Sequence, residues 1–126
     1  MATITITNRY YDFPDIFLGD TFVAQSVQCT DENDLPPTNN LARVWMQIRL
    51  RSKTGTVIKE IDSDVSGVTI DDAVNWLFTI EKFDIEHGTF SPGNYFYDIQ
   101  TFDVAGIKET IFEGIILVKQ DTTYTP

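Results

Sequence analysis

Cysteine is almost absent from this chain. Cys29 is the single one, so no internal disulfide can form and no pair of thiolates can seed a metal cluster. Long apolar runs are missing as well. No stretch approaches the roughly 20 apolar residues of a membrane span, and the start MATITITNRYYDF lacks the basic and apolar regions of a signal peptide. The chain therefore reads as soluble and made in a cytoplasm. Basic residues are few: nine against nineteen acids give a formal charge of −10. Such a charge repels polyphosphate and disfavours nucleic acid and anionic membranes, and solubility is its plain explanation. Amphipathic helical spacing is lacking too, because no long segment holds the i, i+3, i+4 pattern.

What is there is strand after strand. ATITIT (2–7) alternates Thr with Ile, and DTFVAQSVQC (20–29) is β-prone after the break at Gly19. In ARVWMQIRLR (42–51), Ala42, Val44, Met46, Ile48 and Leu50 share one side, and Arg43, Trp45, Gln47, Arg49 and Arg51 the other. That is a strand with one buried face. SKTGT (52–56) turns it into VIKEI (57–61), a hairpin. GVTI follows, and AVNWLFTI (73–80) sets Val74, Trp76, Phe78 and Ile80 in register. IEKFDIEH (80–87) has room for one helical turn, and TDENDLPPTNN (30–40) is a loop. SPGNYFYDIQT (91–101) opens on a Pro-Gly turn and leads through DVAG (103–106) into IKETIFEGIILVK (107–119), a second hairpin. The length of 126 residues suits one domain with a sizeable core. About seven or eight strands with frequent turns predict an all-β, antiparallel β-sandwich.

Taken in order, GDTF (19–22), ARVWMQIR (42–49), SPGNYFYDIQTFDVAG (91–106) and FEGIILV (112–118) resemble the immunoglobulin-like β-sandwich domain of tailed-phage virion proteins, typified by the N-terminal domain of phage baseplate upper proteins. The resemblance implies an immunoglobulin-like sandwich over 17–120, with an extended N-terminal arm over 1–16 and a C-terminal tail over 121–126. It also implies a structural or adaptor role, attached to capsid, tail or baseplate, with no catalytic residue to carry over. Two features depart from the pattern. The chain ends at KQDTTYTP without a fibre or receptor-binding extension, and it begins with the extra arm.

The residues that could carry chemistry make a weak set. His87, with Glu86 and Asp84 beside it, could be oriented as a general base, but no nucleophile elbow or triad signature accompanies it. Acids at Asp31, Glu32 and Asp34, and at Asp62, Asp64, Asp71 and Asp72, offer oxygen ligands of the kind calcium takes, yet neither cluster has EF-hand spacing, and solvated turns explain them. GDTF and SPGN lack the spacing and following helix of a phosphate loop. Arg43, Arg49, Arg51 and Lys53 gather beside Trp45; the net charge opposes a nucleic-acid stripe and favours pairing with acidic neighbours. Neither a cofactor nor a metal is expected.

The last hairpin raises a different possibility. Closing it around DVAG sets Thr101 opposite Lys108, Ile99 near Thr110 and Tyr97 near Phe112, so Tyr95, Tyr97, Ile99, Phe112, Ile116 and Val118 face inward. The other parity carries Phe96, Asp98, Gln100 and Phe102, then Ile107, Glu109, Ile111, Glu113, Ile115 and Leu117. A face that met only water would be mainly polar. In an immunoglobulin-like order, Arg43, Trp45, Gln47, Arg49 and Arg51 join that surface, giving an apolar, aromatic and Arg-containing patch rimmed by acids and suited to protein contact.

The arm ITNRYYDFPDIF (6–17) adds Tyr10, Tyr11, Phe13 and Phe17. Its letters fit an anchor that joins a neighbour's sheet edge, and fit equally an ordinary first strand that folds back on its own domain. The expected contact residues are Tyr10, Tyr11 and Phe13 from the arm, with Trp45, Arg49, Phe96, Phe102, Ile111, Ile115 and Leu117 from the face. The expected function is non-enzymatic: a phage virion protein, made in the host cytoplasm and present in multiple copies per particle. A capsid decoration or auxiliary protein on the major capsid protein comes first, and a tail or baseplate adaptor second. A carbohydrate-binding module, resting on an exposed Trp45 or Trp76, is the reading from another class. Neither nucleic acid nor membrane is an expected partner.

Overall fold

The computed structural model describes residues 3–6, 10–30, 33 and 35–120. Among them the chain forms strands and no helix: β1 (Thr3–Ile6), β2 (Ile16–Phe17), β3 (Thr21–Phe22), β4 (Gln25–Cys29), β5 (Leu41–Leu50), β6 (Val57–Asp62), β7 (Val68–Asp72), β8 (Leu77–Ile80), β9 (Phe83–Asp84), β10 (Gly93–Asp103) and β11 (Lys108–Lys119). There are more strands than the letters suggest because the early segment is cut into short pieces. A turn at Gly19, whose φ is 94°, separates β2 from β3, and Val23 and Ala24 separate β3 from β4.

Two sheets pack face to face. One has the order β1-β4-β8-β7 and the other β2-β11-β10-β5-β6, while β3 and β9 pair at the end of the sandwich. Taking β1, β4, β7 and β8 at the positions of strands A, B, D and E, and β5, β10 and β11 as C, F and G, gives the strand order of the ABED and GFC sheets of the immunoglobulin fold, except that β1 runs parallel to β4 where an all-antiparallel sandwich is expected. β6 adds the C′ position. The long strands β5, β10 and β11 pair antiparallel, and the fold is an immunoglobulin-like sandwich.

The core sits where side-chain alternation places it. Val44, Met46 and Ile48 from β5, with Tyr95, Tyr97 and Ile99 from β10 and Phe112, Ile116 and Val118 from β11, are buried against Val27, Phe78 and Ile80 of the other sheet. Trp76 joins this core, with its indole N–H donating to the carbonyl of Asn39 at 2.7 Å.

Several expectations are corrected by pairing geometry. The 10–13 segment lies along the domain, not apart from it. Tyr11 N–H donates to the Glu113 carbonyl at 3.0 Å, and β2 then pairs parallel with β11 through Val118↔Ile16. Phe13 is buried, its ring 5.2 Å from Phe22 and 4.9 Å from Tyr97, so this expected anchor is a core residue. The last hairpin closes one residue from the expected register, with Thr101 opposite Glu109 and Phe102 opposite Lys108. A bulge then leaves Ile111 without a partner, so that Ile99 meets Phe112 and Tyr97 meets Gly114. On β5, Phe102 meets Arg43 but Asp103 meets Leu41. This second irregularity turns Leu41 inward and leaves Ala42 exposed. The 80–87 segment contains β9, not a helical turn, and Val74 lies exposed in the β7–β8 turn.

Candidate functional site

The outer face of the five-stranded sheet is laid out by its register. One row holds Arg43, Phe102 and Lys108; the next Trp45, Gln100 and Thr110; the next Gln47, Asp98 and Glu113; the last Arg49, Phe96 and Ile115, with Leu117 beyond. Trp45, Arg49, Phe96, Phe102, Ile115 and Leu117 are all half-buried, so neither Phe102 nor Leu117 is withdrawn from solvent in the single chain. Ile111 is half-buried but packs against the core. The bulge gives its expected place on the face to Thr110, and Ile111 leaves the set of contact candidates.

At one end of the face, cations stack on rings. The Arg43 guanidinium lies 5.5 Å from the Trp45 ring centre and 5.0 Å from that of Phe102, and Lys108 Nζ lies 5.7 Å from Trp45. Arg43 is held there by Asp62. Its Nε donates to Asp62 Oδ1 at 3.0 Å, and its Nη2 pairs with Asp62 Oδ2. The hydrogen bond from Arg43 holds the buried Asp62 carboxyl below the usual carboxylate range. Within one row of the face, Trp45 Nε1 and Gln100 Oε1 are cut off from solvent with no hydrogen-bond partner.

At the other end, the arm and a loop build a groove of about 280 Å³. Phe96 and Ile115 form part of its lining on the sheet, Tyr10 and Asp12 come from the arm, and Lys53 from the β5–β6 loop. Tyr10, 66 % exposed, bridges Glu113, and Asp12 Oδ1 accepts the Ile115 N–H at 2.9 Å. Lys53 pairs with Glu113 at 2.7 Å, linking the loop to β11 with β10 between them. Arg49 donates to the Gly55 carbonyl at 3.0 Å and to Gln47 Oε1 at 2.6 Å. Asp98, also in the groove, is raised above the ordinary aspartate range by desolvation.

The arm residues divide by role. Tyr10 stands at the groove rim; Tyr11 is half-buried, with its carbonyl accepting the Tyr97 hydroxyl and its ring 5.1 Å from Phe13. Sequence reasoning places Trp45, Arg49, Phe96, Phe102, Ile115 and Leu117 on one face and misses the groove with its Asp98. The available signal is a lone acid between Phe96 and Phe102 on a strand whose outer parity is otherwise uncharged.

The alternative chemistries find little geometry. His87 is exposed and lies beside Gly19 at the end of the sandwich. Asp72 accepts from the backbone of Val74 and Asn75, both at 3.1 Å, and Asp71 from Thr79 Oγ1 at 2.6 Å, so these acids organise their own turn. Asp31, Glu32 and Asp34 lie outside the described residues. Among the described residues no cluster of His, Cys, Asp or Glu is arranged to hold a metal ion. Cys29 is buried on β4, and desolvation pushes its thiol up to about 12.

No protein-family model matches the chain, and no curated protein does. Among solved structures, CopC from Methylosinus trichosporium OB3b is similar with a TM-score of 0.49 at 9 % identity, covering 88 % of this chain and 89 % of that one. Nothing about function follows from a likeness of that degree.

Proposed function

We propose that this protein is a non-enzymatic virion component that docks onto a larger protein assembly through the outer face of its five-stranded sheet. The observation that carries the reading is that face itself. Phe96, Phe102, Ile115, Leu117 and Trp45 stand half-buried beside Arg43 and Arg49, with Asp62, Glu60 and Glu113 at neighbouring register positions. A sheet surface of aromatic, aliphatic and Arg side chains bordered by acids has the composition of a protein interface. The virion setting comes from the four ordered motifs at 19–22, 42–49, 91–106 and 112–118 and their resemblance to tailed-phage domains. Within it, a decoration or auxiliary protein on the major capsid protein, in multiple copies, is the first choice, and a tail or baseplate adaptor the second.

The carbohydrate reading draws no support from the tryptophans. Trp76 is 5 % exposed, and Trp45 carries Arg43 and Lys108 over its ring, where a sugar would have to stack.

The test is a paired substitution, Phe102→Asp with Leu117→Asp, in the full chain. Both sites are half-buried on the outer surface, so the variant should keep the far-UV spectrum and cooperative unfolding of the parent. Its attachment to particles should fall by about tenfold or more, as when central interface residues are lost. A folded variant that attaches as tightly as the parent removes this face from the function.

A further inference from the structure

We propose that the groove at the arm end of the face is a subsite for a basic side chain of the partner protein, with the aliphatic stem against Phe96 and Ile115 and the terminal cation on the Asp98 carboxylate. The inference deepens the docking reading and rests on it for the identity of the partner as a protein.

Three observations carry it. Asp98 is a half-buried carboxylate beside apolar surface, and among the described residues it enters no ion pair. The two cations that line the same groove direct their hydrogen bonds elsewhere, Arg49 to the Gly55 carbonyl and Gln47, and Lys53 to Glu113. The Arg49 charge favours the ionised Asp98 from a distance but does not outweigh its desolvation. Phe96, Ile115 and Tyr10 supply apolar and aromatic wall beside Asp98, the surfaces on which a methylene stem or a planar guanidinium packs.

Charge selects among occupants. An apolar side chain would cover Asp98 and leave its carboxylate desolvated without a partner. An anion would meet Asp98, Asp12 and Glu113 in a chain of net charge −10. A guanidinium or ammonium supplies charge-assisted hydrogen bonds and a direct counter-charge, and it draws on the long-range field as well.

The full chain is titrated with n-butylguanidinium and n-butylammonium, with uncharged n-butylurea as the shape control, while amide shifts are followed by NMR. The expected result is saturable movement of the Phe96, Asp98 and Ile115 amides with the cations. Affinity should be about tenfold or more weaker for n-butylurea, and for either cation with Asp98→Asn. Whichever cation binds more tightly identifies an arginine or a lysine as the occupant. Equal affinity in Asp98→Asn, or shifts confined to other acidic turns, overturns the proposal. The same variant in the particle assay separates the two readings. If Asp98→Asn attaches as the parent does and Phe102→Asp with Leu117→Asp does not, the docking face stands and the cation subsite falls. If the cations bind at Asp98 but the paired substitution attaches normally, the subsite stands and the docking face falls.

Discussion

Tyr97 shows how single residues fix the arm. Its ring is buried, and desolvation raises its phenol far above the usual range, so the hydroxyl stays protonated and donates to the Tyr11 carbonyl. Tyr97→Phe removes that bond and should cost about 1 kcal/mol, read as a lower urea midpoint at unchanged slope. Gly114 stands opposite Tyr97 because there is no room for a side chain: a Cβ there would run into the Tyr11 carbonyl. Gly114→Ala should cost about 2 kcal/mol by overpacking and should speed exchange of the Tyr11 and Ile115 amides, which bond across this junction. The acids set the response to pH. Asp62 is lowered by its hydrogen bond from Arg43, Asp72 by that from Asn75 and Asp103 by the backbone N–H of Ile107. Each binds protons less tightly folded than unfolded, so its contribution is present above the unfolded value of about 4 and is lost as pH falls through the folded one. Thermal unfolding should therefore move to lower temperature on acidification below about pH 4. Asp98, raised by burial, has the opposite sign. Asp98→Asn removes a desolvated charge and should unfold at pH 7 no earlier than the parent; an earlier midpoint would reveal a structural partner for the carboxylate.

The elements carry the division between what the letters disclose and what they do not. Alternation along β5 and β10 is strict enough that Val44, Met46, Ile48, Tyr95, Tyr97 and Ile99 read as core from their spacing alone. The bulge at Ile111 is silent, since Thr110, Ile111 and Phe112 fit either parity and only the closed turn decides. That turn is fixed by Asp103, whose carboxylate accepts from Ala105 at 2.9 Å and Ile107 at 3.0 Å. The arm is ambiguous in the letters for a physical reason as well. An aromatic segment that packs on its own sandwich has the same composition as one that packs on a neighbour, and only the small Gly114 among large inward residues hints at a close backbone approach. With Phe13 in the core and 10–17 along β11, removal of residues 1–13 should abolish cooperative thermal unfolding, measured by circular dichroism. A truncated chain that melts like the parent would make the arm dispensable. The far edge of the same sheet has its own device: Lys59 on β6 is opposite Ile48, and its ammonium lies 4.9 Å from the Phe83 ring. An inward-placed charge on an edge strand discourages pairing with another chain.

At the scale of the molecule, the outer face is legible in the sequence because parity and the immunoglobulin order together decide which side chains share a surface. The groove is not, because it forms only when the arm, the β5–β6 loop and β11 meet, and residues 10, 53 and 113 are distant in the chain. A formal charge of −10 disfavours contact with polyanions, while one face gathers aromatic, aliphatic and Arg side chains. If the chain docks as proposed, this face is covered in the assembled particle. Electron cryomicroscopy of intact particles carrying the chain tests it most directly. The expected density shows the outer face of β5, β10 and β11 seated on a larger virion protein, with Phe102 and Leu117 in the contact. Density that places this face in solvent, or seats the chain through the β1-β4-β8-β7 sheet, would contradict it.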